Sequence, residues 1–141
     1  MKYDELARLF FERSNALQWY WTVYILVIGG LLGFSLFRQK QDRIKTVLIT
    51  VLYCLFAYKN LDAIHDVTLQ RFATLQLIQE TRPTSPAVGD IQRVREVLEP
   101  TLVRATPDYD GLFGVRNFHI LCDVLTIAAL WTMERHRDRV P

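Results

Sequence analysis

The chain has 141 residues, enough for one domain, and 17 basic against 15 acidic side chains, a formal net charge of +2. A positive charge this small and dispersed excludes an extended nucleic-acid-binding surface, so no nucleic-acid partner is expected. Half of the residues are hydrophobic while 23% are charged, which predicts one membrane domain, residues 1–141, with some segments in lipid and others in water.

The familiar motifs of catalytic and redox sites are absent from the sequence. It contains no Cys-x-x-Cys pair, no glycine-rich phosphate loop and no HExxH segment. Cys54 and Cys122 each lie in an apolar run, where cysteine usually behaves as a small hydrophobic residue, so we expect free thiols. The sequence therefore favours a protein that is not an enzyme.

The first predicted element is the uncharged run ALQWYWTVYILVIGGLLGFSLF, residues 16–37. It has the length that a helix needs to cross a hydrocarbon core of about 30 Å. Trp19, Tyr20 and Trp21 cluster at its start, where aromatic rings favour the lipid–water boundary, and Arg38 follows its end. We expect a transmembrane helix that stays in the mature protein, because a mixed-charge stretch precedes it instead of a basic one.

Three glycines, Gly29, Gly30 and Gly33, lie within this first span. Gly29 and Gly33 have the G-x-x-x-G spacing that permits close approach of a second helix, and we predict a helix-packing face there. Simple backbone flexibility is the alternative interpretation.

The second predicted span covers about residues 44–66. Its apolar core, TVLITVLYCLFAY, is too short to cross alone, so the polar stretch KNLDAIHD is drawn to the membrane edge. No proline or glycine interrupts the chain between Gly33 and Pro83, which predicts one helix from about residue 41 to residue 80, extending beyond the bilayer. The predicted packing face of its second half comprises Val67, Leu69, Phe72, Leu75 and Ile78.

An extramembrane helical loop is predicted over about residues 67–114. Within it, DIQRVREVLE, residues 90–99, has the pattern of a short amphipathic helix. The run FHILCDVLTIAALWTM then predicts a third span over about residues 115–133. The predicted fold is all-α, with three transmembrane helices.

The charges beside the spans predict their orientation. The loop after the first span carries Arg38, Lys40, Arg43 and Lys45 against Asp42, and the segment after the third span is also rich in arginine. Short cytoplasmic loops accumulate such basic residues. We therefore expect a multi-pass protein of the cell membrane, the inner membrane in a bacterium, with its N-terminus outside and its C-terminus in the cytoplasm.

Five polar residues near the predicted outer membrane boundary need an explanation. On the second helix Asp62, His65 and Asp66 share one face, and on the third helix His119 and Asp123 are spaced i, i+4. Ionisable residues inside a membrane are costly and often functional. These five are the candidate site, as intramembrane polar contacts or as part of an ion path.

The simplest role for these residues is to hold helices together by hydrogen bonds or an ion pair, for instance between Asp123 and Lys59 or Arg116. Alternatively, several copies could assemble so that Asp123 lines a cation path. A divalent metal bound by the same five residues is a third possibility. In each case the expected partners are the lipid bilayer and other membrane subunits or further copies of this chain.

Haem binding is a further alternative, because His65 and His119 lie at similar depths and imidazole is an iron ligand. The stretch GVRNFHILCD resembles the G-I-R-H-x-x-x-D region of the succinate dehydrogenase cytochrome b subunit, with the histidine displaced by two positions. That resemblance implies a haem b anchor, and no site residue is transferred from it. The sequence leaves the cofactor open and favours a protein that acts by assembly, as an accessory subunit or as a self-associating channel-like or effector protein.

Overall fold

The computed structural model describes residues 3–38, 40–80 and 114–137. Three helices make up the secondary structure of these ranges: α1, Tyr3–Phe37; α2, Arg43–Glu80; and α3, Val115–Arg137. The all-α prediction is confirmed for this part of the chain. The amphipathic helix predicted at residues 90–99 lies outside the described residues.

Both long helices follow from the absence of breaking residues. α1 begins more than ten residues before the predicted span, because neither glycine nor proline occurs ahead of Gly29. α2 runs to Glu80 as one helix, as predicted from the sequence. Its first turn is capped by Asp42, whose carboxylate accepts a hydrogen bond of 3.1 Å from the backbone N–H of Lys45.

α1 and α2 form an antiparallel hairpin that ends in a two-helix arm, residues 3–15 of α1 and 68–80 of α2. The arm has an apolar core made by Leu6, Phe10, Leu75 and Ile78. Arg71, only 4% exposed, lies with its guanidinium carbon 5.0 Å from the centre of the Phe10 ring.

The packing face of the arm differs in part from the predicted one. Val67, Leu75 and Ile78 are buried as expected, but Leu69 is 53% exposed. Thr68, Arg71 and Thr74 take buried positions in the seam instead. The error arises because the prediction counted apolar residues alone, whereas this seam admits polar side chains that have partners: Thr68 and Thr74 donate to the carbonyl oxygens of Ile64 and Gln70.

α3 packs beside the hairpin below the arm. At its start, Val115 joins a buried cluster with Leu17, Ile64 and Val67, which we call the upper level. Near its end, Glu134 contacts Arg38 and Asp42 in the α1–α2 loop, which we call the lower level. α3 therefore runs parallel to α1 and antiparallel to α2.

Between these two levels the usual arrangement of a soluble protein is reversed. Large apolar side chains of all three helices are exposed, among them Leu26, Leu52 and Leu125, while Tyr24, Tyr53, Asn60, His119 and Thr126 are buried. By length and composition α1 and α2 can each cross a membrane, and only 11% and 22% of their most apolar windows are buried. A core helix of a soluble protein would be mostly buried, so these two helices favour a membrane location.

The arm core generates a prediction with an adjacent control. Phe10→Ala removes a ring that is 2% exposed and should destabilise the arm by about 3–5 kcal/mol, as Phe-to-Ala changes do in cores. Phe11→Ala removes a neighbouring ring that is 49% exposed and should have little effect. Hydrogen exchange of the backbone amides of residues 68–80 measures both. Equal loss of protection in the two variants would contradict the apolar arm core.

Candidate functional site around Asp123

The carboxylate of Asp123 connects all three helices between the two levels. Its Oδ1 accepts hydrogen bonds from the phenol of Tyr24 on α1, at 2.8 Å, and from the phenol of Tyr53 on α2, at 2.7 Å. Its Oδ2 lies 2.9 Å from Nδ1 of His119, one turn earlier on α3. Three donors converge on one carboxylate, which still has acceptor capacity on Oδ2.

His119 is fully buried, and both of its ring nitrogens are engaged. Nδ1 lies 2.9 Å from the Asp123 carboxylate, to which it donates, and Nε2 lies 3.2 Å from the amide nitrogen of Asn60. The ring centre also lies 4.1 Å from that of Tyr24, with 30° between the planes, so α1 holds the imidazole in place.

The depth of Asp123 sets the energetic constraint on this network. Along the axis of α3 it lies about 12 Å from Val115 and about 16 Å from Glu134, near the midpoint between the levels. Within the described residues, no lysine or arginine is among its hydrogen-bond partners. The ion pair considered from the sequence is not formed with Lys59, which instead bonds Asp62 at 3.3 Å.

A second buried carboxylate, Glu134, connects α3 to the α1–α2 loop at the lower level. It pairs with Arg38 and, at 3.0 Å, with Arg137, and it accepts the backbone N–H of Asp42 at 2.8 Å. Arg38 also donates to Thr46 at 2.9 Å, so the loop, α2 and α3 are joined.

The protonation of Glu134 follows from these contacts. Burial raises its pKa, but the Asp42 N–H bond, the Thr46 hydroxyl and the two arginines outweigh burial and bring the pKa below 4.5. The folded state thus binds the proton less readily than the unfolded chain. The ionised Glu134 carboxylate therefore stabilises the fold above pH 4.5, and this contribution is lost as the pH falls through the lowered pKa of Glu134.

The three candidates on α2 lie apart from this network. Asp62 and Asp66 are exposed, the first paired with Lys59. His65 lies 3.9 Å from Asp66, and it is Asn60, not His65, that contacts His119. Of the five predicted residues, His119 and Asp123 alone belong to the described network that connects the three helices.

The metal and haem interpretations require groups that the described residues do not assemble. In these ranges, no group of three or more His, Cys, Asp or Glu side chains could hold a metal ion. His119 presents no open nitrogen, since Asp123 and Asn60 occupy both. Haem ligation by His119 would require Asn60 to move away.

Gly29, Gly30 and Gly33 lie on a face of α1 that its own chain leaves open. A Cβ atom added at any of them would meet no atom within 4 Å. The predicted close packing is thus not made by the described residues 3–38, 40–80 and 114–137, and among them this face is open to a second molecule.

Sequence reasoning missed Tyr24, Tyr53 and Asn60. The two tyrosines lie in apolar runs and were counted as hydrophobic, while Asn60 was read as part of the polar membrane edge. Their positions along the helix axes could have identified them. Counting residues from the flanking charges shows that all three lie on α1 and α2 at about the height of His119 and Asp123.

No protein-family model, curated protein or solved structure matches this chain. The interpretation of the site therefore rests on its own geometry.

The network makes a prediction about helix association. Tyr24→Phe and Tyr53→Phe each remove one donor to Asp123 at constant shape, and each should destabilise the helix bundle by about 0.6–1.7 kcal/mol, the range for polar contacts between membrane helices. Tyr58→Phe, at an exposed tyrosine on α2, is the matched control and should not change the stability of the bundle. Reversible unfolding in mixed detergent micelles measures the differences. If all three variants behaved alike, Asp123 would not hold the helices together.

Proposed function

We propose that the chain is a three-span membrane protein that acts by assembly and not by catalysis: a membrane-anchored subunit that presents its two-helix arm to a partner protein outside the bilayer. The proposal rests on one observation: the buried side chains between α1 and α2 change in character along the length of these two helices. In the arm the hairpin buries apolar side chains, and between the two levels it buries polar ones.

A change of solvent accounts for this reversal. Water drives apolar side chains inward in the arm, whereas lipid accepts them on the outside and drives hydrogen-bonding groups together inside. The arm is thirteen residues long on each helix, so it would extend about 20 Å beyond the membrane. An arm of this length is long enough to contact another protein.

The third crossing is supported by helix lengths. From Leu17 to Arg38, from Asp42 to Ile64 and from Val115 to Glu134, the three helices cover about 32, 33 and 28 Å. Each is close to the hydrocarbon thickness of about 30 Å. α3 is less apolar than α1 and α2 because it carries His119 and Asp123, and both of these residues face the bundle interior.

The internal satisfaction of Asp123 favours a subunit over a self-assembled pore. A pore needs its ring carboxylates directed at water, but this one is held by three donors from its own chain. Self-association is the second candidate, and the open glycine face of α1 is the observation that favours it.

The topology generates a prediction for intact cells. In a background without Cys54 and Cys122, single cysteines at Gln76 and Arg116 should react with a membrane-impermeant maleimide added outside. Cysteines at Lys40 and His136 should react only after lysis, because the basic flanks place the lower level in the cytoplasm. Labelling of Arg116 and His136 from the same side would show that α3 does not cross.

The arm generates a prediction about partners. A photoreactive amino acid at Phe11, about half exposed on the arm, should form adducts with a second protein when cells are illuminated. The matched position is Phe34, 55% exposed between the levels, which should react with lipid. Adducts of two copies through Phe34, beside Gly30 and Gly33, would instead support self-association. An arm that forms no protein adduct would contradict the proposed role.

A further inference from the structure

A cavity of about 200 Å³ opens between α2 and α3 beside the central network. Asp123, Tyr53 and Tyr58 are among its lining residues, and most of its surface is apolar, with aliphatic side chains such as Leu61 and Ile127. The Asp123 side chain is 19% exposed. The carboxylate is thus reachable from this cavity although three donors already hold it.

Charge balance distinguishes this cavity from an ordinary apolar groove. The hydrogen bonds to Asp123 come from two phenols and an imidazole, and no lysine or arginine of the described residues is among its partners. An uncompensated charge in an apolar interior is costly, and a bound cation relieves that cost. The acceptor capacity left on Oδ2 gives such a cation a contact.

The remaining lining suits an organic cation better than a bare ion. Tyr58 presents a ring to which a cation is already close, since Nζ of Lys59 lies 5.7 Å from its centre. Lys59 is itself paired with Asp62, so the charge of its ammonium group is balanced. The cavity is smaller than the 300–1,000 Å³ typical of drug-sized sites, which limits the occupant to a small molecule.

We propose that this cavity binds a small organic monocation, with an ammonium head against Asp123 and an apolar body against Tyr58 and the aliphatic side chains. The carboxylate supplies the charge, the tyrosine ring supplies cation–π attraction, and the aliphatic side chains contact the apolar body. This site is independent of the arm and of any partner protein.

Two probes of the same shape test the role of charge. Benzyltrimethylammonium is the cation, and neopentylbenzene, with carbon in place of the nitrogen, is its neutral counterpart. Cys54 lies in the cavity lining and is exposed, so an occupant should protect its thiol from N-ethylmaleimide in the detergent-solubilised full chain. Mass spectrometry gives the alkylation rate of Cys54 with each probe, and the chain without a probe is the reference.

The cation should protect Cys54 at a concentration at least about tenfold lower than the neutral compound, since one pairing interaction of ordinary strength corresponds to that factor. Asp123→Asn should abolish the difference between the probes. Tyr58→Leu, outside the hydrogen-bond network, should weaken protection by the cation about three- to tenfold. Trp19→Leu, an exposed aromatic on α1, should leave protection unchanged.

Equal protection by the two probes in the unaltered chain would overturn the proposal, as would protection by neither. Asp123→Asn could also fail to fold, which its helix content would reveal. In that event Tyr58→Leu decides, because its side chain is 67% exposed and its loss should leave the bundle intact. Undiminished cation protection in that variant would overturn the proposed site.

Discussion

The hydrogen bonds to the Asp123 carboxylate are the constraint on which the helix arrangement depends. Three donors, one from each helix, meet at two oxygen atoms. This convergence fixes the rotation of α1 and α2 about their axes, because Tyr24 and Tyr53 must both point at α3. It also fixes their relative heights to within part of a turn. In lipid, where apolar side chains provide no net force between helices, such directional contacts can select one arrangement.

The hairpin continues this arrangement above the upper level, where its core is of a different kind. α1 and α2 cross the upper level without a break, so the orientation set by Asp123 below it also positions the arm above it. The arm then packs by apolar burial of Leu6, Phe10, Leu75 and Ile78. One pair of helices therefore uses two kinds of core, and the boundary between them lies at the cluster around Leu17 and Val115.

The sequence predicts the helices better than it predicts their contacts. Long apolar runs without proline suffice to place α2, α3 and residues 16–37 of α1, because helix formation depends on local properties. His119 and Asp123 were also found, since an i, i+4 pair is visible within one helix. Tyr24, Tyr53 and Asn60 were not, because their roles depend on which residues of other helices lie at the same height. The arm was missed for the same reason: the apolar residues Leu6 and Phe10 pack on Leu75 and Ile78, which lie in the second half of α2.

The two buried carboxylates of α3 have different partners because they lie at different depths. Glu134 lies at the lower level, where Arg38 and Arg137 can reach it while remaining near the surface, and the pair charges compensate each other. Asp123 lies near the midpoint, where a lysine or arginine of the chain would itself be costly to bury. Phenols and an imidazole can be buried there at lower cost. This choice of partners leaves a carboxylate without a lysine or arginine partner beside an open cavity, and that carboxylate is the feature of the fold most suited to attract a cationic ligand.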